Sequence, residues 1–354
     1  MNLEAVEEIA KAVLYEGYML YPYRPSSVKN QQRWNFGVLC PAAYCDLQPG
    51  SEALSMQTEC LLRANAFTRI VVSARFLQIV ERMIGKPIGL DGREGGVAAP
   101  EMEFVDRLEL GDRVYQPWQE AVERTAVFKD LDPANLSSAL SRGFSFPAGE
   151  SNEYLLDSDM RRAGVIVRRW QSLDGLVQIG AEPCRDGIFK LTVRVENHSA
   201  CPTSALQSDS NREAILPHAF VSAHLVLAVE NGEFLSLLDP SPGCEDLVSQ
   251  CSNQGVWPVL AAEDATTMLA SPIILYDHPK IAPESAGNLF DATEIDEILS
   301  LRILTLTEQE KQEMRQSDER AKELLERTES IPNEQFMKLH GALRGLTGMH
   351  EVRE

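Results

Sequence analysis

Between Gly164 and Leu238 the chain repeats one pattern, short β-branched or alternating runs divided by turn residues. The runs are Gly164–Trp170, Leu176–Ala181, Ile188–Glu196 and Ala219–Val229. Their period of two is that of strands with one face buried. Ser172-Leu173-Asp174-Gly175 and Arg185-Asp186-Gly187 between them carry turn chemistry. Asn231-Gly232 suits a type I′ hairpin turn, which predicts that Ala219–Val229 pairs antiparallel with Phe234–Leu238. Several strands at this spacing predict a sandwich or barrel-like sheet.

Around this centre the patterning is mixed. Leu3, Val6, Ile9, Ala10, Val13 and Leu14 recur at helical spacing and predict an N-terminal helix. Short strands are expected at Asn35–Leu39 and Thr58–Arg63, and a longer one at Arg69–Val80. Gly85–Glu103 reads as a loop, Phe104–Val114 and Gln119–Phe128 as strands, and Lys129–Asn152 as a polar loop. From Asp291 onward the chain is acidic and helical. Thr307 with Glu310 forms a capping box, and the helix behind it is charged nearly all round, which predicts solvent exposure. The fold class expected is α+β, a mainly antiparallel β core with an N-terminal helix and C-terminal acidic helices. The expected parts are an N-terminal α+β part over 1–150, an antiparallel β domain over 151–290 and a helical region over 291–354.

Charge narrows the function. Against 53 Asp and Glu stand 33 Lys and Arg, a net charge of -20 over 354 residues. A field of that sign repels phosphate backbones and anionic membrane surfaces, so nucleic acid and membrane partners are disfavoured. No apolar run approaches the ~18 residues of a membrane helix. The acidic start, Met1-Asn2-Leu3-Glu4, is unlike a signal peptide, and the 7 cysteines are irregularly spaced. The chain is therefore expected to be cytoplasmic, with reduced thiols.

Four constellations could carry chemistry. His218 and His224, if both lie on one strand, share a face but stand about 20 Å apart, too far for one metal ion. Asp277-His278 can make a ligand pair or an oriented base, and His224 is the third candidate ligand for a divalent transition metal. The competing reading is a loop whose Asp caps local backbone groups. Cys40-x4-Cys45 and Cys244-x6-Cys251 lack zinc-knuckle spacing, although Cys244 sits in a loop where a thiolate could bind a metal. Tyr21, Tyr23, Arg24, Lys29, Arg33 and Trp34 gather aromatic and cationic groups in an acidic chain, the chemistry of a protein-docking surface. No dinucleotide, P-loop, nucleophile-elbow or zincin motif is present.

Two segments carry a likeness. One is Glu16-Gly17-Tyr18-Met19-Leu20-Tyr21-Pro22-Tyr23-Arg24, running on to Lys29-Asn30-Gln31 and Trp34-x-Phe36-Gly37. The other is Ser271-Pro272-Ile273-Ile274-Leu275-Tyr276-Asp277-His278-Pro279-x-Ile281-Ala282-Pro283-Glu284-Ser285, with Thr293-Glu294-Ile295-Asp296-Glu297-Ile298-Leu299. With these the chain resembles uncharacterised cytoplasmic proteins encoded beside high-affinity nickel–iron hydrogenase genes of soil bacteria. The resemblance implies a role in making or serving a hydrogenase and supplies no catalytic residues. Hydrogenase subunits bind nickel through paired Cys-x-x-Cys motifs, which this chain lacks, so it is not the catalytic subunit. The expected function is a non-enzymatic accessory protein, for maturation or assembly, with hydrogenase subunits as partners. The alternative is a metal-dependent enzyme centred on Asp277 and His278. Homo-oligomerisation is left open.

Overall fold

The computed structural model describes residues 9–10, 13–14, 36–47, 49–88, 102–111, 113–206, 211–279 and 306–317, with 322, 325–326 and 329–330. Along them run β1 (Ser55–Arg63), β2 (Arg69–Pro87), β3 (Met102–Val105), β4 (Leu108–Leu110), β5 (Arg113–Tyr115), β6 (Trp118–Leu131), β7 (Leu140–Phe146), β8 (Gly149–Leu156), β9 (Arg162–Trp170), β10 (Leu173–Pro183), β11 (Ile188–Asn197), β12 (Val221–Glu230), β13 (Glu233–Leu235), β14 (Trp257–Leu260) and β15 (Thr267–Ser271). The pairings between them are antiparallel.

One sheet has the order β13-β1-β11-β10-β7, and the other runs β14-β15-β12-β2-β9-β8 with β6 and β3 also on β2. β2 is the axis of the second sheet. Its first half holds β12 on one edge and β6 on the other. Its far end passes on to β9 on the β12 side and β3 on the β6 side. That extension has its own small core of Ile84, Leu108, Leu155 and Ile166.

Alternation explains the main core. Ile70, Val72, Ala74 and Phe76 point inward from β2, and Leu225, Leu227 and Val229 from β12. They meet Val177, Ile179 and Ala181 of β10 and Leu191, Val193 and Val195 of β11. The two sheets thus pack face to face around one cluster. Phe76 stacks on Phe220 at 4.3 Å between ring centroids. On the outer face of β2, Leu77 and Ile79 are covered by Leu14, Val38, Cys40, Tyr44 and Leu216.

Several expectations are corrected. Phe234–Leu238 does not pair with Ala219–Val229. β12 lies between β2 and β15, and β13 pairs with β1 in the other sheet. The turn between them is held instead by the β1–β2 connection. Asn65 Nδ2 and Thr68 Oγ1 both donate to the Asn231 carbonyl, at 2.8 and 2.6 Å. Asn231 takes the left-handed conformation, φ 54, while Gly232 sits where a Cβ would be 2.8 Å from the Arg63 carbonyl oxygen. The dipeptide is a corner between sheets. The expected polar loop 129–152 contains β7 and half of β8, and Gly85–Pro87 pairs with β3 where a loop was expected. Of Asn35–Leu39, Leu39 makes isolated bridges to Phe220 and Ala53. Strands before and after residue 150 share both sheets. A helix runs over Glu308–Ser317; Met314 within it and Leu325 beyond it are buried, while Glu308, Gln312, Glu326, Glu329 and Ser330 are exposed. The expected helices over 293–304 and beyond 332 lie outside the described residues, as do most of the N-terminal helix positions; residues 9, 10, 13 and 14 are helical and buried.

Candidate functional site

Ser271 ends β15 opposite Trp257, at the start of β14. From there the chain turns and reaches the free edge of β14 at Leu260. Ile273 N–H donates to Ser271 Oγ at 3.0 Å, which fixes the turn. Leu275 packs with Val259, Ala261 and Leu269. Leu260 N–H donates to Asp277 Oδ1, and His278 N–H donates to the Leu260 carbonyl, each at 2.7 Å. The second Asp277 oxygen accepts from the Ser236 hydroxyl. Ser236 Oγ accepts in turn from Leu238 N–H and Asp239 N–H, at 3.1 and 2.8 Å. Asp277 therefore ties the edge of β14 to the segment after β13. Pro258, with no N–H, leaves β14 one donor fewer to satisfy. The segment 272–278 is a strap over a sheet edge, and the aspartate is its clasp. His278 turns the chain with φ 55.

His224 lies on β12 opposite Arg75, one residue past a bulge. At the bulge Ser222 has φ 54. Its N–H and that of Ala223 reach out of the sheet to the Phe36 and Gly37 carbonyls, at 3.1 and 2.9 Å. Ser222 Oγ donates to the Val13 carbonyl at 3.2 Å. Gly37 is required here, because its φ is +52 and a Cβ would sit 2.8 Å from Pro272 Cγ. His224 Nδ1 is 2.9 Å from the Ser222 carbonyl, which only accepts, so Nδ1 carries the proton. Nε2 is then a buried lone pair without a hydrogen-bond partner. Burial, aided by Arg75 and opposed by the Ser222 carbonyl, lowers the pKa to about 4. The imidazole is neutral at pH 7.

His218 and His224 do not share a strand face. His218 closes a 3-10 turn, Leu216–His218, before β12 begins, and the Ser222 bulge breaks the alternation beyond it. The His218 carbonyl accepts from Asn197 Nδ2 at 2.9 Å, its Nδ1 has no partner, and burial lowers its pKa. Among the described residues no three of His, Cys, Asp and Glu stand together as metal ligands. Each Asp277 oxygen accepts a hydrogen bond, one from Leu260 N–H and one from the Ser236 hydroxyl.

The cysteines are all free thiols. Burial pushes Cys40 and Cys60 well above the usual thiol range, and Cys251 up to about 11 with Glu59 adding to it. Such thiols stay protonated and are poor ligands and nucleophiles. Cys244, in the loop where the sequence suggested a thiolate ligand, is buried among Leu61, Ile188, Leu235 and Leu247.

The sequence gives no hint of one further cluster, a charged ladder across β6, β2, β9 and β8. Glu120 accepts from Arg82 at 3.1 Å and from Arg168 at 2.7 Å. Arg168 also meets Glu153, and Arg169 meets Glu150. Gln78, fully buried, takes Arg124 Nε on its oxygen at 2.7 Å and donates to the Gln171 carbonyl at 2.6 Å. These residues become neighbours only through register, which composition does not reveal.

Tyr21, Tyr23, Arg24, Lys29, Arg33 and Trp34 lie outside the described residues. Among the described residues no helix is long and apolar enough to cross a membrane. No family model matches this chain, and no curated protein matches it.

Proposed function

We propose that this chain is a non-enzymatic accessory protein, acting in the cytoplasm in the maturation or assembly of a nickel–iron hydrogenase. The observation that carries the reading is the use made of Asp277. The carboxylate best placed for chemistry has both oxygens occupied by Leu260 and Ser236. Burial holds the Cys40 and Cys60 thiols protonated and the His224 imidazole neutral inside the sheet. A β framework that spends Asp277, Cys40, Cys60 and His224 on its own fold is suited to presenting surfaces. The resemblance of the Glu16–Gly37 and Ser271–Leu299 segments supplies the class of partner.

Tyr21, Tyr23, Arg24, Lys29, Arg33 and Trp34 are the contact residues of this reading. Truncating Arg24, Arg33 or Trp34 to alanine is expected to cost on the order of 2 kcal/mol in binding with little loss of fold. Pull-down with the co-expressed hydrogenase subunits measures it. Unfolded variants would make these residues core, and unchanged capture would move the contact elsewhere.

A metal-dependent enzyme centred on Asp277 and His278 is the second reading. It draws on two buried nitrogens without hydrogen-bond partners, His224 Nε2 and His278 Nδ1. Metal analysis of protein purified without a histidine tag separates the two, since stoichiometric zinc, iron or nickel would favour the enzyme.

A further inference from the structure

The strap holds three residues in and presents two out. Leu275 packs inward and Asp277 and His278 bind β14, while Ile274 is 76% exposed and Tyr276 is 86% exposed. Leu238, 56% exposed, lies beside them through the Asp277–Ser236–Leu238 hydrogen bonds. Large apolar side chains held out from a fixed backbone lose little entropy on binding. Fold stability gives no reason for them, since solvent covers them.

The surrounding charge says what covers them. Between Arg212 and Lys280 the chain has no lysine or arginine, and in the same stretch it has Glu213, Glu230, Glu233, Asp239, Glu245, Asp246, Glu263, Asp264 and Asp277. That stretch builds β12, β14 and β15 at one end of the second sheet, β13 at the edge of the first, and the strap. Glu233 is paired by Arg63 of β1, and Asp246 by Arg185 of the β10–β11 turn. Asp239, next to Leu238, and Glu263 and Asp264 on the β14–β15 turn are exposed and rim the patch. A second copy would bring the same acidic rim against itself. We propose that Leu238, Ile274 and Tyr276 are the anchor of a docking site for a different protein, whose contact surface is cationic and carries an apolar pocket. This rests on the accessory reading above for the partner's identity, a hydrogenase subunit pair; the site's chemistry is drawn from the strap itself.

The test is a titration of the purified hydrogenase subunit pair onto the immobilised full chain. The variants are the double substitution Ile274→Ser with Tyr276→Ser and, as a control on the distant β8–β9 turn, Met160→Ser, a residue 74% exposed. The double variant is expected to keep its melting temperature and to bind roughly thirtyfold or more weakly. The control is expected to bind as wild type, and wild-type binding to weaken severalfold as salt is raised past the Debye regime. Equal binding by the double variant overturns the docking site and leaves the accessory reading standing. Binding indifferent to salt overturns the cationic partner. Self-association of the wild type that the double variant loses, measured by sedimentation, makes the occupant a second copy. No wild-type binding at all overturns the accessory reading together with its proposed occupant.

Discussion

His224 is a neutral imidazole sealed between a sheet and the segments that cover it, and its protonation is linked to folding. The native pKa is about 4 against an ordinary value of 6.5. Between those two values the unfolded chain binds the proton and the native one does not. Stability is therefore expected to fall as pH drops from about 6.5 towards 4, by roughly 3 kcal/mol in all. Urea midpoints at pH 7.5, 6.5, 5.5 and 4.5 measure it. His224→Phe loses the bond to the Ser222 carbonyl, costing about 1–2 kcal/mol at neutral pH, but should flatten that acid slope. An equal slope in the variant would show that other groups set it. Residue identity gave only part of this in advance. The alternation placed His224 on a strand, but the bulge at Ser222 beside it is held by the Phe36 and Gly37 carbonyls, far away in sequence.

At the scale of elements, the edges of the second sheet decide how the motifs are used. β14 is covered at Leu260 by the strap, and Pro258 removes a donor from it. β6 pairs with β2 on one side, and near its end Lys129 and Asp130 form a bulge against Val71, with Asp130 at φ 57. Bulges and lysines are common ways to keep an edge from pairing with another chain. Asp277→Ala would leave the Leu260 N–H and the Ser236 hydroxyl unpaired, a loss of about 2–3 kcal/mol, and Asp277→Asn should lose less because one acceptor remains. Chemical denaturation of both variants checks it. A variant Asp277→Ala as stable as wild type would free the carboxylate for chemistry and favour the enzyme reading. Asp277-His278 was visible as an unusual pair in the sequence. Its partners were not, because Leu260 and Ser236 reach it only through the β14–β15 hairpin and the crossing to β13.

Across the whole molecule, period two told which face of each run is buried but not which strand lies beside it. The inward residues of β2, β10, β11 and β12 were legible for that reason. Their division between two sheets was not, since Asn231-Gly232 suits a hairpin and a corner equally and the β1–β2 connection decides between them. β7 and β8 escaped because Ser141, Arg142, Gly143, Glu150, Ser151 and Asn152 face solvent and read as loop. A framework in which early and late strands alternate within each sheet forms only when the chain is nearly complete, and it presents the strap and the acidic end of the second sheet as fixed surfaces. The central claim is that those surfaces serve the making of a hydrogenase. The most direct measurement is the nickel content and hydrogen uptake of that hydrogenase, purified from cells with and without this chain. The account predicts that without it the large subunit carries less than about a tenth of its nickel and the activity falls in proportion, both restored by supplying the chain. A fully loaded, fully active hydrogenase from cells lacking the chain would contradict it.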